Sequence, residues 1–331
     1  MPVAQINPEA MLHKPLPMVD VLNDAGFEVR YPTNPELARG GCTDDELIEE
    51  LQGVNAVVAT AEQYTPKVIA ALPDLRVIAR AGVGYDAVDV PAATEHKIPV
   101  TITPTANHEA VAELALALLF ATTKRMVDGH RRTLAGEWPR VPLMPIRGKT
   151  MGIVGLGRIG RSMATRCISL GMTVIANEQF PNEEFVKQHG IELVDFDALL
   201  GRSDFITIHC PLTEETRGRF NKTAFAKMKQ GSILLNSARG PIVVEADLHD
   251  ALTSGHLAAA GLDVFEQEPP STDNPLFKLE NVVVSPHIAG ADELSMRDMG
   301  TEAAQCIATL YQGGWPDGAV VNNELKDGWK W

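Results

Sequence analysis

The sequence contains little cysteine. Only four cysteines occur in 331 residues, and Cys42, Cys167, Cys210 and Cys306 are far apart in the chain. Their scarcity excludes a disulfide-rich scaffold and is typical of proteins in a reducing compartment. His209 lies beside Cys210, but no further ligand follows at the spacing of a zinc site. We therefore expect no bound metal ion.

Positive charge and long apolar runs are also scarce. Lysine and arginine number 29 against 43 acidic residues, which gives a formal net charge of -14, and no basic block is present. Nucleic acid and anionic membranes would repel such a chain, so neither is an expected partner. The most apolar run, residues 114–123, is too short to cross a bilayer. The first residues do not read as a secretory signal, and the expected location is the cytoplasm.

Apolar strand-like runs alternate with helical segments along most of the chain, which is typical of an α/β fold with parallel sheets. The length suggests two domains. Predicted helices begin at the capping box Thr43–Glu46 and at Pro66, and two longer helices cover 107 to about 126 and 292–311. The predicted strands lie near 55–60, 75–79, 98–103, 150–155, 173–176, 204–209, 232–237, 258–263 and 282–285.

A glycine-rich turn follows the predicted strand at 150–155. Gly155, Gly157 and Gly160 form the pattern GxGxxG between an apolar strand and a helix. In such a turn the first glycine permits a tight bend, the second lets the backbone approach a pyrophosphate, and the third allows close packing of helix on strand. Glu178 ends the next strand, where an acidic side chain would bind ribose hydroxyls. The combination predicts a dinucleotide site.

Glu178 also bears on the choice of cofactor. A carboxylate there would repel the 2′-phosphate of NADP, and residues 179–182 (QFPN) contain no arginine or lysine to bind it. The sequence therefore predicts NAD.

Three charged or titratable side chains follow late strands. Arg239, Glu268 and His287 come just after such runs, at the sheet edge where α/β proteins bind ligands. A cation, a carboxylate and an imidazole are the groups that reduction of a keto acid needs. Taken singly, each also has a structural interpretation, as a surface charge, a solvated loop residue and a hydrogen-bonded histidine.

The chain resembles the D-isomer-specific 2-hydroxyacid dehydrogenase family over nearly its whole length. The matching segments are ARAGVGYDAVD (79–89), NHEAVAELALALL (107–119), GLGRIG (155–160), HCPLTEETRG (209–218), NSARG (236–240), LDVFEQEP (262–269) and SPHIAG (285–290). The resemblance implies two doubly wound, Rossmann-like parallel-sheet lobes and hydride transfer between NAD and C2 of a D-2-hydroxy or 2-keto acid.

The resemblance also implies roles for individual residues. Arg239 would bind the carboxylate and carbonyl of the substrate, His287 would be the acid/base, and Glu268 would hydrogen-bond the imidazole. Glu268 is chosen over Glu266 because it directly precedes the proline, as in the family. Substrate contacts are expected from Arg80, from the backbone N–H groups of Val83 and Gly84, and from Asn107. Cofactor contacts are expected from Gly155, Gly157, Arg158, Ile159, Gly160, Glu178, Cys210, Pro211, Thr216, Ala238 and Asp263, the last orienting the nicotinamide amide.

The implied domain plan inserts the NAD domain into the substrate domain. Residues 1–103 and 291–331 would form the substrate lobe, residues 104–290 the NAD lobe, and the active site the cleft between them. A homodimer is expected, built through roughly residues 107–145. The tail that contains Trp329 and Trp331 is expected to pack on the lobe or on a partner subunit.

The substrate itself is left open by these residues. Phosphoglycerate dehydrogenases that resemble this chain have an arginine where Ala59 stands, and Glu62 nearby would add negative charge, although Arg80 is kept. Ending at 331 without added regulatory domains is a further difference. We therefore expect an unphosphorylated acid such as glyoxylate or hydroxypyruvate, with 3-phosphoglycerate as the alternative. A different class, an NAD-sensing corepressor-like protein, stays open because corepressors can keep the same residues.

Overall fold

The computed structural model describes residues 1–37 and 41–331. The chain divides into two compact units, Met1–Asn107 with Gly290–Trp331 and, inserted between these pieces, His108–Ala289. The boundaries expected after residues 103 and 290 fall within a few residues of these divisions. Each unit contains one parallel sheet with helices, so the predicted fold class is confirmed. No helix in the described ranges is long and apolar enough to span a bilayer.

The first unit contains a five-stranded parallel sheet in the order β2-β1-β3-β4-β5. Its strands are β1 (Val3–Ile6), β2 (Glu28–Arg30), β3 (Ala56–Ala59), β4 (Val77–Arg80) and β5 (Val100–Thr101). Its α-helices are α1 (Pro17–Asp24), α2 (Asp44–Glu50), α3 (Pro66–Ala70), α4 (Val90–Glu95) and α12 (Glu293–Tyr311). Apolar clusters cover the sheet on both faces.

Two of these strands were not predicted. β1 lies inside the sheet although its sequence, VAQI, contains a polar residue. Gln5 is fully buried; its side chain accepts a hydrogen bond from Arg30 Nε at 2.7 Å and donates one to Asn7 Oδ1 at 3.0 Å. Satisfied hydrogen bonds remove the cost of burying an amide, and a short apolar pattern cannot reveal them.

The predicted helix starts of the first unit are confirmed. Thr43 accepts from the Glu46 backbone N–H while Glu46 accepts from that of Thr43, which completes the capping box of α2. Thr65 caps α3 ahead of Pro66. Each cap satisfies backbone N–H groups that the first helical turn leaves without partners.

The C-terminal tail with Trp329 and Trp331 packs on its own unit, which is one of the two arrangements expected from the sequence. The Trp331 ring centroid lies 5.6 Å from that of Phe27 and 5.0 Å from that of Tyr311. Trp329 Nε1 donates a hydrogen bond to the Lys97 carbonyl at 2.8 Å. Trp331 is thus partly buried against Phe27 and against Tyr311 of α12, and Trp329 is partly buried beside the segment that follows α4.

The inserted unit contains a seven-stranded parallel sheet in the order β12-β11-β10-β9-β6-β7-β8. Its strands are β6 (Thr150–Val154), β7 (Thr173–Asn177), β8 (Glu192–Leu193), β9 (Phe205–Ile208), β10 (Ser232–Asn236), β11 (Leu257–Leu262) and β12 (Val282–Val284). Its α-helices are α5 (His108–Thr123), α6 (Met126–Leu134), α7 (Arg158–Ser169), α8 (Glu183–His189), α9 (Phe196–Arg202), α10 (Lys222–Lys227) and α11 (Glu245–Thr253). The strand order reverses between β6 and β9, and ligands of such sheets bind outside the strand ends at this point.

The long helix predicted over 107–126 ends early. α5 stops at Thr123, and Arg125 adopts a left-handed backbone with φ 48° before α6 begins. The hydroxyl groups of Thr122 and Thr123 donate to the carbonyls of Leu118 and Leu119. Such bonds compete with the helical ladder, and a left-handed residue ends it.

Candidate functional site

The three glycines after β6 each have the surroundings that the dinucleotide motif requires. Gly155 has φ +95°, and a Cβ there would lie 2.6 Å from the Cys210 backbone nitrogen, so the segment just after β9 packs directly against this turn. A Cβ on Gly160 would lie 2.0 Å from the Gly155 carbonyl oxygen. A Cβ on Gly157 would meet no atom within 4 Å. The open space beside Gly157 would allow a pyrophosphate to approach the backbone closely.

The helix that follows begins in the same turn. Gly157 is the N-cap of α7 and, as a glycine, makes no side-chain capping hydrogen bond at that end. The backbone N–H groups and positive dipole end of α7 are therefore available to an anion. Arg158 and Ile159 form the first turn, where Arg158 is exposed and Ile159 is half-buried.

Glu178 lies directly beside this turn. It follows β7, and its carboxylate accepts hydrogen bonds from the backbone N–H of Leu156 at 2.6 Å and of Phe180 at 2.9 Å. The side chain therefore bridges the glycine turn and the end of β7. A carboxylate at the end of this strand is the group that binds ribose hydroxyls in dinucleotide sites, and this role of Glu178 stays a prediction.

The other residues expected at the cofactor lie after β9 and β10. Cys210 is half-buried, and burial raises the pKa of its thiol to about 11, which leaves it neutral at ordinary pH. The Thr216 hydroxyl donates to the Pro211 carbonyl at 2.7 Å and so closes the turn that contains both residues. Ala238 packs at the edge of the core. These contacts explain how the segment is held.

Two buried polar atoms near these strand ends have no partner within the described part of the chain. They are His209 Nδ1, after β9, and Ser237 Oγ, after β10. Burial lowers the pKa of His209 to about 3, so the imidazole is neutral. Buried polar atoms are usually hydrogen-bonded, and a polar ligand at the strand ends would satisfy these two. The residues present thus fit a bound dinucleotide.

Arg239 is positioned by a tight turn after β10. The Asn236 side chain accepts from the Ala238 backbone N–H at 3.0 Å and donates to the Arg239 carbonyl at 2.9 Å. Gly240 packs so closely on the next loop that a Cβ there would lie 1.8 Å from the Phe265 carbonyl. Because of this contact, the Arg239 turn and the loop that contains Glu268 are positioned together.

His287 and Glu268 form a hydrogen-bonded pair. His287 Nδ1 lies 2.5 Å from Glu268 Oε2, and the other Glu268 oxygen accepts from the Phe265 backbone N–H at 2.9 Å. Glu266 is used elsewhere, since it accepts from the backbone N–H of Glu245 at 3.0 Å. The choice of Glu268 over Glu266 from the following proline therefore agrees with the contacts.

The charge of Glu268 is stabilised by its neighbours. Burial by itself would raise the pKa of this carboxyl, but the hydrogen bond and charge of His287, the Phe265 N–H and the Arg239 guanidinium together lower it. An ionised carboxylate at Nδ1 favours the protonated imidazole and orients its ring.

Asp263 has contacts that the sequence did not reveal. It is fully buried, and its carboxylate accepts from Ser285 Oγ at 2.6 Å, from Ile288 N at 3.1 Å and from Ala289 N at 2.9 Å. These bonds enclose His287, whose backbone is left-handed with φ 52°, an uncommon conformation for a residue other than glycine. The carboxylate therefore holds the backbone of the histidine loop, and its expected contact with the nicotinamide amide stays a prediction.

The residues of the first unit that are expected to bind substrate lie in two segments, one after β4 and the other at Asn107. Arg80 ends β4 and donates from Nε to the Gly84 carbonyl at 3.1 Å, which braces the loop containing Val83. Asn107 is 8% exposed, and its Oδ1 has no partner among the described residues. The Asn107 amide packs on Gly290, where a Cβ would lie 2.9 Å from Nδ2.

Glu62, expected to add negative charge near a substrate phosphate, is hydrogen-bonded inside the first unit. Glu62 is fully buried and accepts hydrogen bonds from Asn7 Nδ2 at 2.6 Å, Thr60 N at 2.9 Å and Tyr64 Oη at 3.0 Å. Three donors satisfy this carboxylate inside the unit. Ala59 is also fully buried, as part of the apolar core. The two residues therefore carry less weight against a phosphorylated substrate than the sequence alone suggested.

The fold and the glycine turn define a Rossmann-type dinucleotide-binding protein with a hydrogen-bonded histidine–glutamate pair at a strand end. The family model for the NAD binding domain of D-isomer specific 2-hydroxyacid dehydrogenases matches residues 116–289. The chain belongs to this family, and the NAD cofactor predicted from Glu178 is that of its NAD-binding domain.

Named relatives differ in the substrate that their names state. The D-3-phosphoglycerate dehydrogenase of Archaeoglobus fulgidus is 43% identical over 298 residues, which are 89% of this chain and 55% of the relative. The chain thus spans about half the length of that protein. The glyoxylate reductase of Korarchaeum cryptofilum is 39% identical over 286 residues, 84% of this chain and 86% of the relative. A formate dehydrogenase from Staphylococcus aureus, solved with NAD, superposes with a TM-score of 0.82 at 28% identity, covering 97% of this chain and 99% of the other.

Two alanine substitutions separate binding from folding in the glycine turn. Gly157→Ala places a methyl group in open space, so we expect an unchanged melting temperature but an NADH dissociation constant raised by about tenfold or more, because the methyl displaces the pyrophosphate. Gly160→Ala forces Gly155 to move and should lower the melting temperature by several degrees. Fluorescence titration with NADH and thermal unfolding measure both. Equal NADH affinity in wild type and Gly157→Ala would contradict the assignment.

Proposed function

We propose that the protein is an NAD-dependent oxidoreductase that transfers a hydride between nicotinamide and C2 of a small D-2-hydroxy or 2-keto acid. The pair of His287 Nδ1 and Glu268 Oε2, 2.5 Å apart in the NAD-binding unit, is the observation that carries this proposal. Arg239 follows the neighbouring strand β10, and its charge acts on Glu268. The D configuration follows from the family name.

The three side chains divide the chemistry of keto-acid reduction. NADH, when bound, supplies the hydride to C2. His287 would donate a proton from Nε2 to the carbonyl oxygen, while Glu268 keeps the hydrogen bond at Nδ1 and stabilises the charge of the imidazolium. Arg239 would bind the carboxylate through its guanidinium and polarise the carbonyl. The expected substrate contacts of Val83 and Gly84, in the loop that Arg80 braces, stay a prediction.

The proposed substrate is an unphosphorylated acid such as glyoxylate or hydroxypyruvate. Ala59 provides no cation for a phosphate, and Arg80 uses Nε to hold the Gly84 loop. A relative that carries the name glyoxylate reductase matches over most of its length. 3-Phosphoglycerate is the second candidate, because relatives of 41–44% identity carry the name D-3-phosphoglycerate dehydrogenase.

A substrate panel tests the reaction and the substrate together. NADH oxidation is measured with glyoxylate, hydroxypyruvate, pyruvate, phenylpyruvate and 3-phosphohydroxypyruvate. We expect an unphosphorylated acid to turn over at about 1–1000 per second. His287→Ala should lower that rate by about a hundredfold or more, because the proton donor is lost.

His96→Ala is the matched control for this panel, since His96 is exposed and lies in the first unit. Its rates should equal those of the wild type. Turnover of the phosphorylated acid alone would replace the proposed substrate by the second candidate. Bound NADH without turnover of any acid would contradict the oxidoreductase proposal and favour a sensor.

A homodimer is part of the proposal. Apolar side chains are exposed along 126–143, with Leu134 at 75% and Trp138 at 79%. Exposed apolar surface of this kind marks association sites. Sedimentation velocity should therefore give a mass of twice 35.8 kDa. Trp138→Glu should shift the protein to monomer, whereas Leu294→Glu, at a residue 63% exposed in the other unit, should not. A monomeric wild type would contradict this part.

A further inference from the structure

Arg219 is held in one orientation beside the end of β7. It lies in the connection between β9 and α10, and its Nη2 donates to Asn177 Oδ1 at 2.9 Å. Its guanidinium carbon lies 4.1 Å from the centroid of the Phe196 ring. That ring is itself fixed edge-on against Phe220, at 5.3 Å between centroids. A planar cation stacked on an aromatic face and bonded at one edge has lost most of its rotational freedom.

The Arg219 guanidinium lies close to Glu178, the residue expected to bind the ribose hydroxyls. Asn177, the hydrogen-bond partner of Arg219, directly precedes Glu178 in the chain. Burial is the main cause of the raised pKa of the Cys210 thiol. The charge of Arg219 lowers this pKa, and the charge of Glu178 raises it. Both charges therefore act on one side chain after β9. The segments after β7 and β9 thus bring a carboxylate and a guanidinium to the same part of the unit.

The two groups have opposite preferences at an adenosine ribose. A carboxylate accepts hydrogen bonds from the 2′- and 3′-hydroxyls and repels a 2′-phosphate, whereas a nearby arginine accommodates that phosphate. A guanidinium has five N–H donors, of which the Asn177 bond uses one. Residues 179–182 contain no lysine or arginine, which is why the sequence alone indicated a site without a phosphate-binding cation.

We propose that Arg219 is a second determinant of cofactor specificity, a guanidinium that binds the 2′-phosphate of NADP and limits how strongly Glu178 excludes it. This inference rests on the proposed use of a nicotinamide dinucleotide. It does not depend on the substrate or on catalysis. The site then combines the Glu178 carboxylate, which favours NAD, with the Arg219 guanidinium, which keeps the affinity for NADP measurable.

Nucleotide fragments test this without turnover. Isothermal titration calorimetry gives the dissociation constants of 5′-AMP and 2′,5′-ADP, and their ratio reports the 2′-phosphate alone. Arg219→Leu should weaken 2′,5′-ADP relative to 5′-AMP by about tenfold, the loss of one charge-assisted hydrogen bond. Glu178→Gln should shift the ratio by about tenfold in the opposite direction, because the repelling charge is removed. Adding Arg219→Leu to Glu178→Gln should cancel that gain.

Further variants test whether Arg219 and its contacts with Asn177 and Phe196 only support the fold. Phe196→Leu removes the stacking partner and should reduce the 2′-phosphate preference less than Arg219→Leu does. Arg219→Lys keeps the positive charge and should retain part of the 2′-phosphate preference, so the inference stays testable if Arg219→Leu does not fold. The inference is overturned if the ratio of the two constants is the same in wild type, Arg219→Leu and Arg219→Lys, or if the gain of Glu178→Gln persists without Arg219. Binding of both fragments together with no activity on any acid would instead reject the proposed reaction.

Discussion

The hydrogen bond between Glu268 and His287 is the contact on which the candidate active site depends. Its two atoms are 2.5 Å apart, although 19 residues separate them in the chain. The contact requires β11 and β12 to lie side by side in register, which pairs Leu262 with Val284. Gly240 must also let the loop after β11 approach the Arg239 turn closely. A base at one ring nitrogen then leaves the other nitrogen to exchange a proton with a substrate.

Two carboxylates after the same strand hold the histidine in different ways. Asp263 is fully buried and fixes the backbone around His287 through three hydrogen bonds. Glu268 is partly exposed and fixes the imidazole ring. The left-handed backbone of His287 costs free energy of order 1–3 kcal/mol, so the surrounding bonds must maintain it. Strain that is held in place beside a reacting group is typical of active sites.

The sequence predicted those features that local patterns encode. The central strands of the second unit, β6, β9, β10 and β11, are buried on both faces and appear as apolar runs, and the glycine turn has a fixed spacing. β1 was missed because Gln5 interrupts its apolar pattern and is satisfied by Arg30, 25 residues away. The burial of Glu62 depends on Asn7, 55 residues distant, and the position of Arg219 on Asn177, 42 residues distant. Contacts at such separations follow from the fold and have no local signature.

The pH dependence of keto-acid reduction tests the role of the pair most directly. Reduction consumes a proton, so kcat/KM should fall at alkaline pH, where proton donation to the substrate fails. Burial opposes ionisation of Glu268, but its hydrogen bonds and the nearby cations lower the pKa of this carboxyl, so its charge is present across that range and favours imidazolium. Glu268→Gln should therefore move the alkaline limb to lower pH, by about one to two units, while Glu266→Gln leaves it in place. An alkaline limb at the same pH in wild type and Glu268→Gln would contradict the account.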